Sequence, residues 1–439
     1  MIRIWAAIAA TTILVSCAGK QQSDSGKGAD ELMAEYAARR DAMPVQTFTL
    51  KGDSSATLSA KSGLLLYVPA DAFVDDSGKY FGGTVTLKLK EASTPNDFMN
   101  HGLETLADGK PVFGAGIFHL SAEGNGKALK IAENAYIRLS VPEPPKATAG
   151  RRFQLAANKN DYRLYTGTES ATGLTWRATD AAVDGENPNF DKLKNDYAVV
   201  ERWVRTVREQ RRNPKPKSFA TFEELTRHSF SWDRAVSTQH WVGNKLYGDV
   251  HTFAVSAEVR KALEVPGPAA GSFTFAGAGG GRSAKGGGGG NRNAKGGGAV
   301  TRLPVFDLTP RFNAALELVR GYEAAAGFAA LKGAFGAVER MEVNVAQTGW
   351  VAAFKPLSAD GAEFKGKILG ADGKPAAYAR LHLVGPGVHL YKHVQGGEYT
   401  MRYLAGESFK LVAVAGEKTT QTDAAFKMAG DAVPDLKLP

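Results

Sequence analysis

The sequence holds one cysteine, Cys17. No disulfide can form within the chain, and no multi-cysteine metal site is possible. Beyond the opening segment no run of 18 apolar residues occurs, so no transmembrane helix is expected there. Histidine is scarce, eight residues in 439, and no HExxH or HxH pattern is present. GxSxG and GxxxxGK[ST] are absent too, which removes the usual serine-nucleophile and phosphate-loop signatures. With no disulfides to brace it, the fold has to be held by hydrophobic cores. A hydrophobic content of 43%, with 9% aromatic, is enough to build them, and the length suits two to four domains. The net charge of +9 points to anionic lipid, acidic polysaccharide or nucleic acid as partner classes.

What is present begins with Arg3, a positive residue, followed by an apolar run from Ile4 to Val15. That run is of signal-peptide length and too short to span a bilayer. Leu14-Val15-Ser16-Cys17 closes it, and these four residues resemble the lipobox of bacterial lipoproteins. The resemblance implies a signal peptide over 1–16 and lipidation (palmitate included) of Cys17. Two acyl signals already anchor a protein stably. Ala18 stands where an aspartate would retain a lipoprotein in the inner membrane, so the resemblance implies the outer membrane; Lys20-Gln21-Gln22-Ser23-Asp24 offers one acid where surface-export signals place several, which favours a periplasm-facing protein over a surface-exposed one. Residues 17–44 read as a flexible polar spacer, with a short helix over Ala29–Arg40.

From Val45 the texture is short alternating strands with turns between them. Gly83 to Lys90 places Val85, Leu87 and Leu89 on one face, and Gly63-Leu64-Leu65-Leu66-Tyr67-Val68-Pro69 is a strand ended by proline. Asp76-Ser77-Gly78 and Asp108-Gly109 are turn sequences. This pattern predicts an antiparallel β-sandwich over 45–145, closed by Pro142-Glu143-Pro144-Pro145. The stretch Gly63 to Phe73, with Phe81-Gly82-Gly83-Thr84-Val85-Thr86-Leu87, resembles ZU5-like sandwiches. Val68 to Val74 with Gly102-Leu103-Glu104-Thr105 also resembles Bacteroidota-type envelope lipoproteins. ZU5-like domains imply contact and assembly rather than catalysis.

Residues 146–276 read as a mixed region, with a helix over Asn189–Arg212. Arg205, Arg208, Arg211 and Arg212 crowd its C-terminal end, which suits the helix dipole; a solvated helix end is favoured over an anion site. Thr221 and Glu224 form a capping box for a second helix. Trp232, His240, Trp241 and Tyr247 make an aromatic cluster, with Trp232, Trp241 and Tyr247 the candidate ligand contacts; core is the stronger reading. Gly277–Gly298 carries twelve glycines and four cations with no acid, so it reads as a basic flexible loop inserted in a hairpin. Its lack of aromatics argues against nucleic acid. Residues 299–362 are a mixed segment with a helix starting at Thr309-Pro310. The module 363–439 opens with Phe364 to Pro375, which resembles the first hairpin of carboxypeptidase regulatory-like domains. Ala379 to Val384, Gly397 to Met401 and Phe409 to Val414 extend the likeness, though the usual acidic turn is replaced by Val394-Gln395-Gly396. The resemblance implies a transthyretin-like sandwich without catalytic residues.

His382, His389 and His393 invite a metal reading, but on strands that spacing does not converge, and interstrand histidines are favoured. Glu91, Asp97 and Glu104 are acids without a recognisable catalytic spacing. Asp75-Asp76-Ser77-Gly78 lacks the ligands of a calcium loop and reads as a hydrated turn. The expected fold is mainly β with some α: antiparallel sandwiches flanking a mixed α/β middle region. The expected function is a lipid-anchored, non-catalytic binding or scaffolding protein of the cell envelope. Its expected partners are the membrane, envelope proteins or cell-wall polysaccharide, with no nucleic acid, cofactor or metal. The alternative is a carbohydrate-active or peptidase-like enzyme with its site at 230–247.

Overall fold

The structure, a computed structural model, describes residues 29–142, 162–170, 173–182, 194–213, 219–227, 239–248, 255–264, 269–275, 301–332, 340–356, 362–403, 406–425 and 432–439. The fold is mainly β with a smaller helical part, in several sheets. The largest sheet runs through Gln46–Lys51, Thr84–Ala92, Lys110–Gly124, Gly349–Pro356, Arg163–Ser170 and Gly173–Ala182. Thr84–Ala92 alternates as its sequence demands, with Val85, Leu87 and Leu89 fully buried. The facing sheet orders Arg340–Val345, Ile137–Pro142, Leu65–Val68 and Ala56–Ser59. Strand pairing therefore carries this sandwich past the expected boundary at 145. Lys110–Gly124 needs a partner on its second edge, and Gly349–Pro356 supplies it, from Gly349 opposite Leu120 to Pro356 opposite Val112.

The apolar run from Leu64 to Val68 is buried on both sides. Leu64, Leu66 and Val68 enter the sandwich core, while Leu65 and Tyr67 meet Ala324 and Phe328 of a long helix, Thr309–Lys332. That helix starts where the threonine–proline pair places it and continues through Gly321 to Lys332. At Gly327 a side chain would overlap Thr57, so the glycine lets the helix press onto the strand Ala56–Ser59.

A second helix, Tyr197–Arg212, packs on the first through Val200, Val204 and Val207, with Tyr197 stacked on Tyr322 at 4.4 Å. Beside them lies a small sheet of His240–Val242, Lys245–Gly248, Thr301–Asp307 and Ala269–Phe275. Phe275 stands opposite Thr301, so the glycine-rich segment 277–298, outside the described residues, connects the two arms of a hairpin, as expected.

Residues from 362 onward form two small sheets. Ala362–Leu369 joins Glu398–Tyr403 and Leu436–Lys437; Tyr378–Gly385 joins Val388–Gln395 and Ser408–Ala415, with Lys418–Ala425 outermost. The expected first hairpin is short: Leu369 and Pro375 form an antiparallel bridge, and the Ala376 N–H donates to the Ile368 carbonyl (2.9 Å). A turn closed by Gly370 N–H to the Lys374 carbonyl (2.8 Å) hands the chain from one sheet to the other.

The spacer is also corrected from residue 29 on. Ala29–Asp41 is a helix whose Tyr36 and Arg40 are buried, with Tyr36 against Tyr391 and Arg40 Nε donating to Glu169 (2.8 Å). Aromatic burial and ion pairing tie this segment to both sandwiches; Cys17 and the residues up to 28 lie outside the described part.

Candidate functional site

The cleft with the most developed chemistry opens where the N-terminal sandwich meets the helices. Its volume is about 300 Å³, and its walls come from three parts of the chain. The C-terminal end of Tyr197–Arg212 brings Arg208, Arg211 and Arg212. The turn after Leu65–Val68 brings Asp71, and the first turns of the long helix bring Thr309, Asn313 and Arg320. Spacings of three and four residues put the arginines on one helical face. Asp71 sits at φ 60°, a left-handed position that aspartate tolerates better than most residues, and its carboxylate is turned to the helix.

Asp71 holds two guanidiniums at once, Arg212 in direct contact and Arg208 Nε at 3.7 Å. Burial lowers the Arg208 pKa, and Asp71 opposes that shift. Arg211 is held differently. Its guanidinium lies 4.6 Å from the Trp241 ring and 5.0 Å from the Tyr80 ring, and it donates to the Tyr80 hydroxyl at 3.0 Å. Among the described residues it has no carboxylate partner. Cation–π contacts of this kind contribute about 0.5–2 kcal/mol each without cancelling the charge. Across the cleft Arg320 is matched, donating to Glu317 (3.0 Å) and to the Asn134 carbonyl (2.7 Å). Behind the cleft Glu323 accepts from Tyr67 and Tyr197, and burial raises the pKa of both phenols. Two buried donors on the walls, Trp241 Nε1 and Arg320 Nε, find no acceptor among the described residues.

The helix-end arginines are thus not simply solvated: Arg208, Arg211 and Arg212 line the cleft, Arg212 still in part exposed, whereas Arg205 faces water, 60% exposed beside Glu201. A fold that seats another module on the helix end explains the difference. Of the aromatic candidates, Trp241 and Tyr247 sit in one hairpin but on opposite faces. Trp241 enters the helical core beside Phe312 and lines the cleft; Tyr247 packs with Phe219 and Phe222 on the other side. The two rings share no pocket, and Trp232 lies outside the described residues. Glu91 is engaged by Gln46 and Ser62, and Asp97 completes a capping box with Thr94. Asp75 is a turn residue, accepting from the Ser77 N–H (2.9 Å) and hydroxyl. Asp71, Tyr80 and Asn313 carried no local signal.

A second polar array lies between the two sandwiches. His382 and His389 are buried and stacked (5.4 Å between centroids), with His382 Nδ1 3.1 Å from His389 Nε2. The Leu103 carbonyl only accepts, so His389 Nδ1 donates to it (2.9 Å), and His382 then donates to His389. Burial lowers the pKa of both rings, that of His389 to about 4. Glu104, beside them, is pushed up to about 7 by burial. His393 instead pairs with the Tyr378 hydroxyl at 2.9 Å, so the three histidines do not converge. Among the described residues no group of histidine, cysteine and acidic side chains has metal-binding geometry.

Compared with known proteins, the sequence matches no protein family, and no curated protein is significantly similar to it. The functional reading rests on the residues themselves.

Proposed function

We propose that this chain is a lipid-anchored, non-catalytic binding protein of the cell envelope. In this reading Cys17 tethers it to the outer membrane, facing the periplasm, and the cleft at the end of Tyr197–Arg212 receives an anionic ligand. The observation that carries the reading is Arg211, a cation fixed between Trp241 and Tyr80 with no carboxylate partner among the described residues. A rigid, half-desolvated guanidinium loses little entropy on binding an anion. The likeness of 45–145 to ZU5-like domains and of 363–439 to regulatory-like domains supports the reading, since such sandwiches serve contact.

Two measurements test it. Cys17→Ala should move the protein from the membrane fraction to the soluble fraction; unchanged fractionation would sink the anchor. Full-length protein should co-sediment with isolated cell walls, and Arg211→Ala should reduce the bound fraction. Equal sedimentation of the two would remove the cleft from the function.

A further inference from the structure

Resting on that reading, we propose that the ligand of the cleft is a phosphomonoester carried on a hydroxyl-rich, monosaccharide-sized body. Charge is the first argument. At the helix end Arg208, Arg211 and Arg212 face one carboxylate, Asp71, leaving an excess of two positive charges. Arg320 is offset by Glu317, while Glu323, held behind the cleft by two tyrosines, and the exposed Glu133 at the rim temper this local excess without an ion pair to these arginines among the described residues. A carboxylate ligand carries one negative charge, whereas a phosphomonoester carries about 1.5 to 2 near neutrality. Arginine forks also match phosphoryl oxygens in pairs.

Size and polarity define the rest of the molecule. A cleft of about 300 Å³ is at the small end for organic ligands, too small for a polymer segment of several sugars. Next to the arginines its wall offers Thr309, Asn313 and Asn244, neutral groups that can both donate and accept. Such groups suit sugar hydroxyls.

Titration calorimetry on the full chain in detergent tests this with four probes: glucose 1-phosphate, glucuronate, inorganic phosphate and vesicles containing phosphatidic acid. Glucose 1-phosphate should bind at least about ten-fold tighter than glucuronate or inorganic phosphate. Its affinity should fall as pH drops through about 6, where the phosphoryl group takes up a proton. Among the described residues no histidine lines the cleft to imitate that dependence. Arg211→Ala should cost at least about ten-fold, and Arg211→Lys should not restore it, because an ammonium lacks the planar fork. Arg205→Ala, on the same helix, should change affinity less than about two-fold. Equal binding of glucuronate overturns the phosphoryl assignment, and equal binding of inorganic phosphate overturns the sugar-sized body. Binding confined to the vesicles replaces the sugar with a lipid headgroup. If no probe binds while cell-wall sedimentation still depends on Arg211, the ligand class fails and the binding reading stands.

Discussion

Two junctions join the N-terminal sandwich to the rest of the molecule, and both are lined by charged and polar side chains. At the junction with the C-terminal sandwich, donors and acceptors satisfy one another in a chain. His382 donates to His389, His389 to the Leu103 carbonyl, and the Thr105 hydroxyl and His389 backbone bond reciprocally. Burial keeps the His382 and His389 rings neutral and pushes the Glu104 pKa up to about 7. At the junction with the helices the groups stay ionised, cations outnumber the acid that faces them, and a cleft remains open. A surface that only has to hold two modules together gains from the first arrangement, since unmatched buried charge is costly. Retaining the second costs stability, which is why the cleft and not the seam is read as the binding surface.

The largest expected effect comes from forcing charge into the closed seam. Glu104 has a folded pKa above its usual 4.5, about 7, so the stability it contributes is present below pH 4.5 and is lost as pH rises to 7. Glu104→Gln should therefore stabilise the protein at pH 8 by up to about 3 kcal/mol and have little effect at pH 4. His382 and His389 have the opposite slope. Their folded values are lowered, so stability is lost as pH falls from the usual 6.5 towards 4. In the native chain the two slopes oppose each other between pH 4.5 and 6.5; Glu104→Gln removes one and should expose a steeper acid loss. Urea unfolding across this range reads both effects, and a variant curve parallel to the native one would contradict the neutral seam.

Next in size is the open junction. Asp71→Asn keeps a residue that tolerates φ 60° but removes the one carboxylate that, among the described residues, ion-pairs with Arg208 and Arg212. Stability should fall by about 2 kcal/mol, less than for a fully buried pair because the arginines are partly solvated. Anion affinity should rise several-fold at the same time. A variant that loses both stability and affinity would mean that Asp71 shapes the cleft more than it screens it.

Much of the fold could be read from sequence, because alternation and capping are local. Val85, Leu87 and Leu89 declared one face, and Thr309-Pro310 declared a helix start. The unbroken run Leu64–Val68 declared a strand but not the helix that covers its second face. What the sequence did not reveal is non-local. Nothing near Lys110–Gly124 says that its partner is Gly349–Pro356, and nothing near Arg212 says that Asp71, 141 residues away, will face it. The arginines were visible as a cluster; their confinement in a cleft depends on that long-range contact. The position of the cleft wall depends on another. Gly327→Ala gains about 1 kcal/mol in helix propensity but overlaps Thr57, so a net loss of about 1 kcal/mol is expected, measured by urea unfolding. Stabilisation instead would show that the long helix does not press on the strand as closely as drawn.

The smallest expected effect is the most discriminating, because it compares like with like. Arg205 and Arg211 share a residue type and a helix, but lie six positions apart, about 9 Å along the axis and about 120° around it. Arg205 is 60% exposed and, among the described residues, paired with Glu201 at 3.6 Å, a surface ion pair worth about 0–1 kcal/mol. Arg211 is enclosed by two rings at the junction. If charge alone drew the ligand, removing either arginine would weaken binding comparably, and the effect would fade with salt. Should the enclosure matter, Arg205→Ala stays within about 0.5 kcal/mol of native stability and leaves affinity nearly intact, while Arg211→Ala does not. The ratio of the two affinities, measured at low and at physiological salt, separates a diffuse basic surface from a built site.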